Sequence, residues 1–415
     1  MRRRRLLVTV FAALIGLPLV LWLSLPLAIR SLGGAWDGVP GSFATEGSPE
    51  AQGLVAAALN GLDLQRYTDY HVHALGLGAG GSGCFVNEEK LSWRHPWGHL
   101  QFEIYRSAAG IDELATADED YVDRLLELVR AAGLGAGTHQ LLAFDKHYLA
   151  DGQVDLGHTE FYVPNDYVLD LTARYPDVFA PTASVHPYRA DALDELDRLA
   201  ARGVRWIKWL PSAMGIDPAA ERCDAFYERM AAHDMVLLTH GGEEQAVDAA
   251  ELQRLGNPLL LRRALDSGLR VVVAHCASLG TNVDLDDPAA GRVASFDLFL
   301  RLMDDPRYEG RVFGEISAVT QVNRMDVLAR LLEREDLHER LVHGSDYPLP
   351  AVNAVIWTSA LAREGFLDEA ERDALNEVYD ANPLLFDLVV KRTLRHPQTR
   401  ARFAASVFTA NPLLE

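Results

Sequence analysis

Two histidines one residue apart are the first candidates for chemistry in this sequence. They lie in the stretch Asp69-Tyr70-His71-Val72-His73. Successive side chains of a β-strand point to opposite faces, so Asp69, His71 and His73 would share one face. Neutral imidazole is a good ligand for zinc and related ions, so the two histidines could bind one divalent ion from the same side. Such pairs also occur by chance, and the prediction therefore depends on polar residues elsewhere in the chain.

Further polar residues stand at the ends of later apolar runs. Lys208, His240, His275 and Asp346 each follow a run of this kind. In a parallel α/β barrel the carboxyl ends of the strands form one face, where functional groups gather. Six residues are therefore predicted to converge on one point: His71, His73, Lys208, His240, His275 and Asp346. His186 and Glu315 follow the third and seventh runs and are predicted either to contact substrate or to be hydrogen-bonded polar residues of the core.

The elements that would position these residues alternate along the chain. Eight short apolar runs are candidate strands, at 67–73, 136–144, 178–185, 204–210, 235–241, 270–276, 311–317 and 341–346. Helical patterns with apolar residues at a period of 3.6 lie between them, for example at 121–129 and 193–199. Alternation of this kind predicts an α/β fold, a (β/α)8 TIM barrel over 61–390. A doubly wound open sheet is the alternative, which the absence of a phosphate-binding fingerprint disfavours. The Gly-rich connection 74–117 is predicted to be a lid or pocket wall.

Composition excludes one class of partner. Five of the 39 basic residues lie in 1–30, so the remaining chain carries 34 basic and 59 acidic residues, a net charge of −25. So acidic a body would repel nucleic acid phosphates. The three cysteines, Cys84, Cys223 and Cys276, are widely spaced and odd in number, so they imply no disulfide framework.

The N-terminal 30 residues predict a membrane segment. Four arginines precede an uncharged run at 6–29, and Arg30 follows it. A run of this length spans a hydrocarbon core of about 30 Å, and the arginine cluster stays cytoplasmic. We expect 1–30 to be an uncleaved single-pass anchor with the rest of the chain periplasmic or extracellular; a cleaved signal peptide and a secreted protein are the alternative. Residues 31–60 are predicted to be a linker, and 391–415 a C-terminal tail that is either a packing helix or mobile.

The chain resembles the amidohydrolase superfamily, in particular the branch that also contains small-acid decarboxylases. The resemblance covers about 66–388. Its motifs are the stretch 69–73, the strand-end histidines, Gly203-Val204-Arg205-Trp206-Ile207-Lys208, Glu339-Arg340-Leu341-Val342-His343-Gly344-Ser345-Asp346-Tyr347-Pro348 and Asn382-Pro383-Leu384-Leu385-Phe386. Such a resemblance implies a metal-dependent (β/α)8 barrel.

The resemblance also implies roles for individual residues. His71 and His73 would bind one divalent metal ion, with zinc expected and one or two ions per chain. His240 and His275 would bind that ion or a second, and Asp346 would be a ligand that also moves protons, so Asp346 and His275 are the candidate catalytic residues. Lys208 would be either a carbamylated bridge between two ions or an amine paired inside the barrel.

The implied function is hydrolysis of a small molecule. A metal-activated water would attack a C–N or C–O bond of an amide, lactone or ester. One alternative is a non-oxidative decarboxylase of a small aromatic or unsaturated acid. Another is a catalytically silent, membrane-tethered barrel.

Overall fold

Eight parallel strands form the central sheet of the computed structural model, which describes residues 23–34 and 39–415. The strands are β1 Thr68–His73, β2 Thr138–Leu142, β3 Phe179–Ala183, β4 Trp206–Trp209, β5 Val236–His240, β6 Arg270–Ala274, β7 Val312–Glu315 and β8 Leu341–Val342. Each pairs with the next in chain order. Tyr70 N donates to His343 O at 2.9 Å and His73 N to Tyr347 O at 3.0 Å, so β1 also meets the residues around the end of β8. The sheet is a nearly closed barrel, and the predicted TIM-barrel fold is confirmed.

Helices cover the outside of the barrel. The helices of eight or more residues are Pro49–Leu59, Pro96–Ala108, Ala117–Ala131, Asn165–Arg174, Ala192–Ala201, Asp224–Ala232, Ser295–Met303, Met325–Glu333, Glu369–Ala381 and Pro383–Thr393, besides the described end of a helix at 23–33. Ala117–Ala131 shows why they form: acidic residues occupy its first turn, where they oppose the positive helix end, and Tyr121, Leu125 and Leu128 are buried along one face. Two small antiparallel sheets, Phe85–Val86 with Phe161–Tyr162 and Thr281–Val283 with Arg292–Ala294, lie outside the barrel sheet.

A bulge in β1 changes the predicted alternation of side chains. From Asp69 to Val72 the strand advances three residues, whereas its partner β2 advances two, from His139 to Leu141. A bulge of this kind lets adjacent residues reach one face. Tyr70 packs on Trp206 of β4 with ring centroids 5.1 Å apart, while His71 contacts Lys208, two residues further along β4 and thus on the same face. The simple alternation that placed Asp69 beside His71 and His73 is therefore broken.

The segment predicted to be a linker, 31–60, contains packed helix. Pro49–Leu59 packs against the helices Glu369–Ala381 and Pro383–Thr393. Its Gly- and Pro-rich flank is the helix cap: Ser48 Oγ accepts from Ala51 N at 3.1 Å, and Pro49 occupies the first turn. Ala51 and Ala58 are buried in this contact. The turn-forming residues thus begin a helix here.

Most of the predicted membrane segment lies outside the described residues. Of the uncharged run 6–29, only 23–29 is described, as part of the helix at 23–33. Within 23–34 and 39–415, no helix is both long and apolar enough to cross a membrane.

The predicted C-terminal tail, 391–415, packs on the barrel. Val407, Phe408 and Leu414 are buried. Leu414 belongs to the same buried cluster as Tyr70, Trp206 and other strand residues. Asn411 N donates to the Tyr70 hydroxyl at 2.9 Å. The segment therefore covers the end of the barrel opposite the carboxyl ends of the strands.

Candidate metal centre

The six convergent residues of the sequence prediction surround one cavity of about 480 Å³. His71, His73, Lys208, His240, His275 and Asp346 all line it. Its remaining walls are mostly apolar and include Leu77, Phe102 and Ile111 from the connection 74–117, together with Phe144 and Phe161. The cavity is thus an apolar pocket with a polar floor at the carboxyl ends of the strands, the usual place of a barrel active site.

Three of the donors in this cavity, His71, His275 and Asp346, lie close enough together to hold one metal ion. One donor atom from each lies within 4.8 Å of the others, and all three residues are buried. His71 Nε2 is 3.4 Å from Asp346 Oδ1, and His275 Nε2 is 3.9 Å from Asp346 Oδ2. His275 and Asp346 follow β6 and β8 with φ of 56° and 61°, a left-handed conformation that non-glycine residues rarely adopt. Backbone strain of this kind is typical of residues held for function.

Glu315 and Ser317 orient the two buried imidazoles. Glu315 Oε2 accepts from His71 Nδ1 at 3.0 Å and from the Ser317 hydroxyl at 2.7 Å, and Ser317 Oγ accepts from His275 Nδ1 at 2.7 Å. Both histidines therefore carry their proton on Nδ1 and present the Nε2 lone pair toward Asp346. The absence of a side chain at Gly344 is needed here, because a Cβ would lie 2.7 Å from the Cβ of His71.

Burial keeps the imidazoles neutral. The pKa values of His71, His240 and His275 are lowered well below the usual histidine value, chiefly because burial disfavours the charged ring. Lys208 acts in the same direction on all three. Neutral rings with a free nitrogen lone pair are the form that binds a metal ion.

His73 and His240 extend the group on two sides. His73 Nε2 lies 2.9 Å from Asp346 Oδ1. His240 stacks edge-on against His275, with centroids 5.3 Å apart, and its Nε2 lies 3.2 Å from Glu244 Oε2. Its Nδ1 is buried without a hydrogen-bond partner in the described chain. An unsatisfied buried nitrogen beside further donors suits a ligand, so the donor set fits a divalent metal.

Lys208 lies directly beside His71. Its Nζ is 3.3 Å from His71 Nε2, and burial lowers the lysine pKa to about 8 while Asp346, Glu315 and Glu244 oppose that shift. A lowered pKa makes the neutral amine more accessible than it is for an exposed lysine. Both of its predicted roles, as a carbamylated bridge and as a paired amine, remain compatible with this position.

His186 and Glu315 do not line the cavity. His186 Nε2 donates to Met214 O at 2.8 Å, and its Nδ1 accepts from Tyr188 N at 3.1 Å. Burial lowers its pKa to about 3. Glu315 lies behind His71, fully buried. Both residues are hydrogen-bonded polar groups, which was the second of the two interpretations that the sequence allowed.

Sequence reasoning missed three polar residues of the site. Glu244 follows His240 by four residues, a spacing that could have pointed to it. Ser317 and Arg324 lie in the loop after β7 and carried no recognisable pattern. Arg324 is only 7% exposed and lines the cavity.

Comparison with known proteins identifies the family. The sequence profile described as Amidohydrolase matches residues 69–377. No curated protein sequence matches the chain. Among solved structures, an uncharacterized TIM-barrel protein from Bordetella bronchiseptica is 14% identical, with 75% of this chain and 99% of that chain covered and a TM-score of 0.44. An inferred 2-pyrone-4,6-dicarboxylic acid hydrolase from Pseudomonas putida is 19% identical, with 68% and 83% covered and a TM-score of 0.40. A 5-carboxyvanillate decarboxylase from Sphingomonas paucimobilis is 14% identical, with 72% and 98% covered and a TM-score of 0.40. Because the family profile spans well over half of the chain, this protein belongs to the amidohydrolase family.

Proposed function

We propose that this protein is a metal-dependent hydrolase of a C–N or C–O bond in a small molecule, with zinc as its metal. The observation that carries the proposal is the pair of imidazoles, His71 and His275, whose Nδ1 protons are committed to Glu315 and Ser317. Their Nε2 atoms meet Asp346 at the floor of an apolar cavity. Imidazole and carboxylate donors suit zinc.

The chain's own groups can perform the proton transfers. A divalent ion held by these donors supplies Lewis-acid polarisation of a carbonyl and activation of water. Asp346 has its carboxylate between His73 and His71, at 2.9 and 3.4 Å. From there it can accept the proton of the attacking water and donate it to the leaving group. The apolar walls limit the access of bulk water to this step.

The test combines metal analysis with product chemistry. We expect the purified protein to contain stoichiometric zinc and to incorporate ¹⁸O from labelled water into a product when assayed with a panel of amides, lactones and esters. His71→Ala should lose both zinc and activity, and Asp346→Asn should lose activity. His95→Ala is a matched control, because His95 is an exposed loop histidine outside the cavity lining.

Two results would contradict the proposal. Release of carbon dioxide from a carboxylic acid, without incorporation of oxygen from water, would identify the decarboxylase instead. Bound metal with no turnover on either substrate class would favour the catalytically silent barrel.

The proposed location of this reaction is a membrane surface outside the cytoplasm. Its support is the uncharged run 6–29 between two arginine-containing flanks. The helix at 23–33 ends near the cavity, where Leu32 O accepts from Ala354 N at 3.1 Å and Ala354 lines the cavity. Protease added to intact cells should digest the barrel, and protection would contradict this location. A mature chain shortened near residue 30 would indicate a cleaved signal instead.

A further inference from the structure

A second group of metal donors lies in the loop that follows β2. His147, Asp155 and His158 each offer one donor atom, and the three atoms lie within 4.8 Å of one another. His147 Nδ1 is 3.8 Å from Asp155 Oδ2, and His158 Nδ1 is 2.7 Å from the same oxygen. None of the three residues lines the main cavity of about 480 Å³. The group is therefore separate from the donors at the strand ends.

His147 is the buried member of this group, and its ring makes no hydrogen bond to the described chain. Only 8% of the residue is exposed, yet across 23–34 and 39–415 neither ring nitrogen has a hydrogen-bond partner. Its Nε2 faces Gly215, where a Cβ would lie 2.5 Å away, and its Nδ1 faces Asp155. A buried polar atom without a partner costs free energy, and a ligand at Nδ1 would remove that cost for one of the two nitrogens.

The backbone of the loop holds the three donors in place. Asp155 N donates to His147 O at 2.9 Å, and His147 N donates to the Thr159 hydroxyl at 3.1 Å. That hydroxyl donates to Asp155 O at 2.7 Å, and Thr159 is itself buried. Asp155 Oδ1 accepts from the backbone of Gly157 and His158 at 3.0 and 3.2 Å, which leaves Oδ2 directed toward the imidazoles. The donors are therefore oriented by the protein itself.

The spacing of the donors is close to that of a tetrahedral site. With bonds of about 2.0–2.2 Å to nitrogen and oxygen, two ligands of such a site lie about 3.3 Å apart. The 3.8 Å between His147 Nδ1 and Asp155 Oδ2 must shorten by roughly half an ångström, and the 2.7 Å to His158 Nδ1 must lengthen by a similar amount. The side chain of His158 is 74% exposed, so a small rotation of its ring meets little resistance.

A small cavity beside this group gives room for a further ligand. Its volume is about 10 Å³, and both His147 and His158 line it. This volume is close to the minimum for one water molecule. A tetrahedral ion on three protein donors needs one more ligand, and a water molecule in this cavity could supply it.

We propose that His147, Asp155 and His158 bind a divalent metal ion of the zinc class that fixes this loop beside the main cavity. Two imidazoles and a carboxylate are donors that suit zinc. Phe144 and Phe161 line both the small cavity and the main cavity. The ion therefore orders a wall of the main cavity and takes no part in the reaction.

Calorimetric titration with zinc tests the proposal on the full-length protein. The protein is chelated first, so that the number of ions bound per chain is counted from zero. We expect the wild-type protein to bind one zinc ion more than variants of the loop. Hydrogen exchange of the amides in 145–160 provides a second measurement. At a free zinc concentration ten times the dissociation constant, their exchange should slow by about tenfold.

Two loop variants and one control locate the ion. His158→Ala removes an exposed ring, and Asp155→Asn keeps an oxygen for the backbone amides, so both should fold. Each should lose one zinc ion per chain and the slowing of exchange. His233→Ala is the matched control, because His233 Nε2 also lies 2.6 Å from an aspartate, Asp197, but belongs to no group of three donors among the described residues. It should bind zinc as the wild-type protein does.

The outcomes separate this proposal from the proposed function. Equal numbers of zinc ions in the wild-type protein and in folded His158→Ala would overturn it. So would loss of an ion in His233→Ala as well, since surface pairs of histidine and aspartate would then bind zinc indiscriminately. Exchange of 145–160 that zinc leaves unchanged would overturn the role of the ion in ordering the loop. The loop variants leave the strand-end donors intact, so a failure of the hydrolase proposal would appear instead as missing ¹⁸O incorporation.

Discussion

Glu315→Gln tests whether the protein itself presets the metal-binding form of two histidines. One carboxylate oxygen of Glu315 accepts from His71 Nδ1 at 3.0 Å and from Ser317 Oγ at 2.7 Å, and Ser317 in turn holds His275. The other oxygen accepts from Ser317 N. An amide offers one oxygen and one NH₂ group, so it cannot accept at both ends. At least one of these hydrogen bonds is lost in the variant.

The expected effect is on metal affinity rather than on folding. Removal of a partner that orients a metal-binding histidine typically weakens metal binding by roughly 10- to 100-fold. That range corresponds to about 1.4–2.8 kcal/mol of binding free energy. Glutamine keeps one acceptor and the volume of the side chain, so we expect the variant to fall within this range although Glu315 acts on both imidazoles.

The assay is a competition titration of zinc against a chromophoric chelator, with unfolding followed separately on chelated protein. Glu113→Gln makes the same chemical change at an exposed glutamate and should bind zinc as the native protein does. A folded Glu315→Gln protein whose zinc affinity stays within about twofold of native would refute this account of how the imidazoles are oriented.

Three further predictions concern Lys208, Asp69 and Leu414. Lys208→Ala should leave the zinc content of the main cavity at one ion per chain, because the described residues bring together only one close donor group at the cavity floor. Metal analysis would contradict this if the native protein held a second ion that the variant loses. Restoration of that ion by a short carboxylic acid would indicate a carbamylated bridge instead. Burial raises the pKa of Asp69 from 3.8 to about 7, so the folded protein binds this proton more tightly than the unfolded chain does. The resulting stabilisation of the chelated protein is present at low pH and is lost as the pH rises through about 7. The shift corresponds to about 4 kcal/mol, and Asp69→Asn should flatten the dependence of the free energy of unfolding on pH between about 4 and 7, as measured by urea denaturation at a series of pH values. Leu414→Ala should lower the free energy of unfolding by about 2–5 kcal/mol, whereas Leu413→Ala, at a side chain that is 47% exposed, should change it little in the same denaturant titration.

The sequence was sufficient for the barrel and for the residues around its cavity because both follow from short-range rules. Apolar runs of a few residues separated by amphipathic segments define eight strands, and the residue after each run lies at one end of the barrel. His240, His275 and Asp346 could be placed in this way without any knowledge of their contacts.

The remainder depended on contacts between residues far apart in the chain. Alternation along a regular strand predicted that Asp69 shares a face with His71 and His73. The bulge in β1 is a property of its pairing with β2, so the sequence alone could not show that this alternation is broken. Glu315 was assigned to substrate or core, and only its hydrogen bond to His71, 244 residues earlier, shows what it contacts. Ser48 and Pro49 occur in linkers and in helix caps alike, and packing against Glu369–Ala381 favours the cap.

The packing of Leu414 has a consequence for the order of events during synthesis. This residue joins Tyr70 of the first strand and Val342 of the last in one buried cluster, yet it is translated after both. Closing so long a stretch of chain loses entropy, so contacts of this separation form late. The end of the barrel opposite the cavity is therefore expected to stay open to water until residue 414 has left the ribosome. Final closure of the barrel follows release of this residue, however early the histidines of β1 have been made.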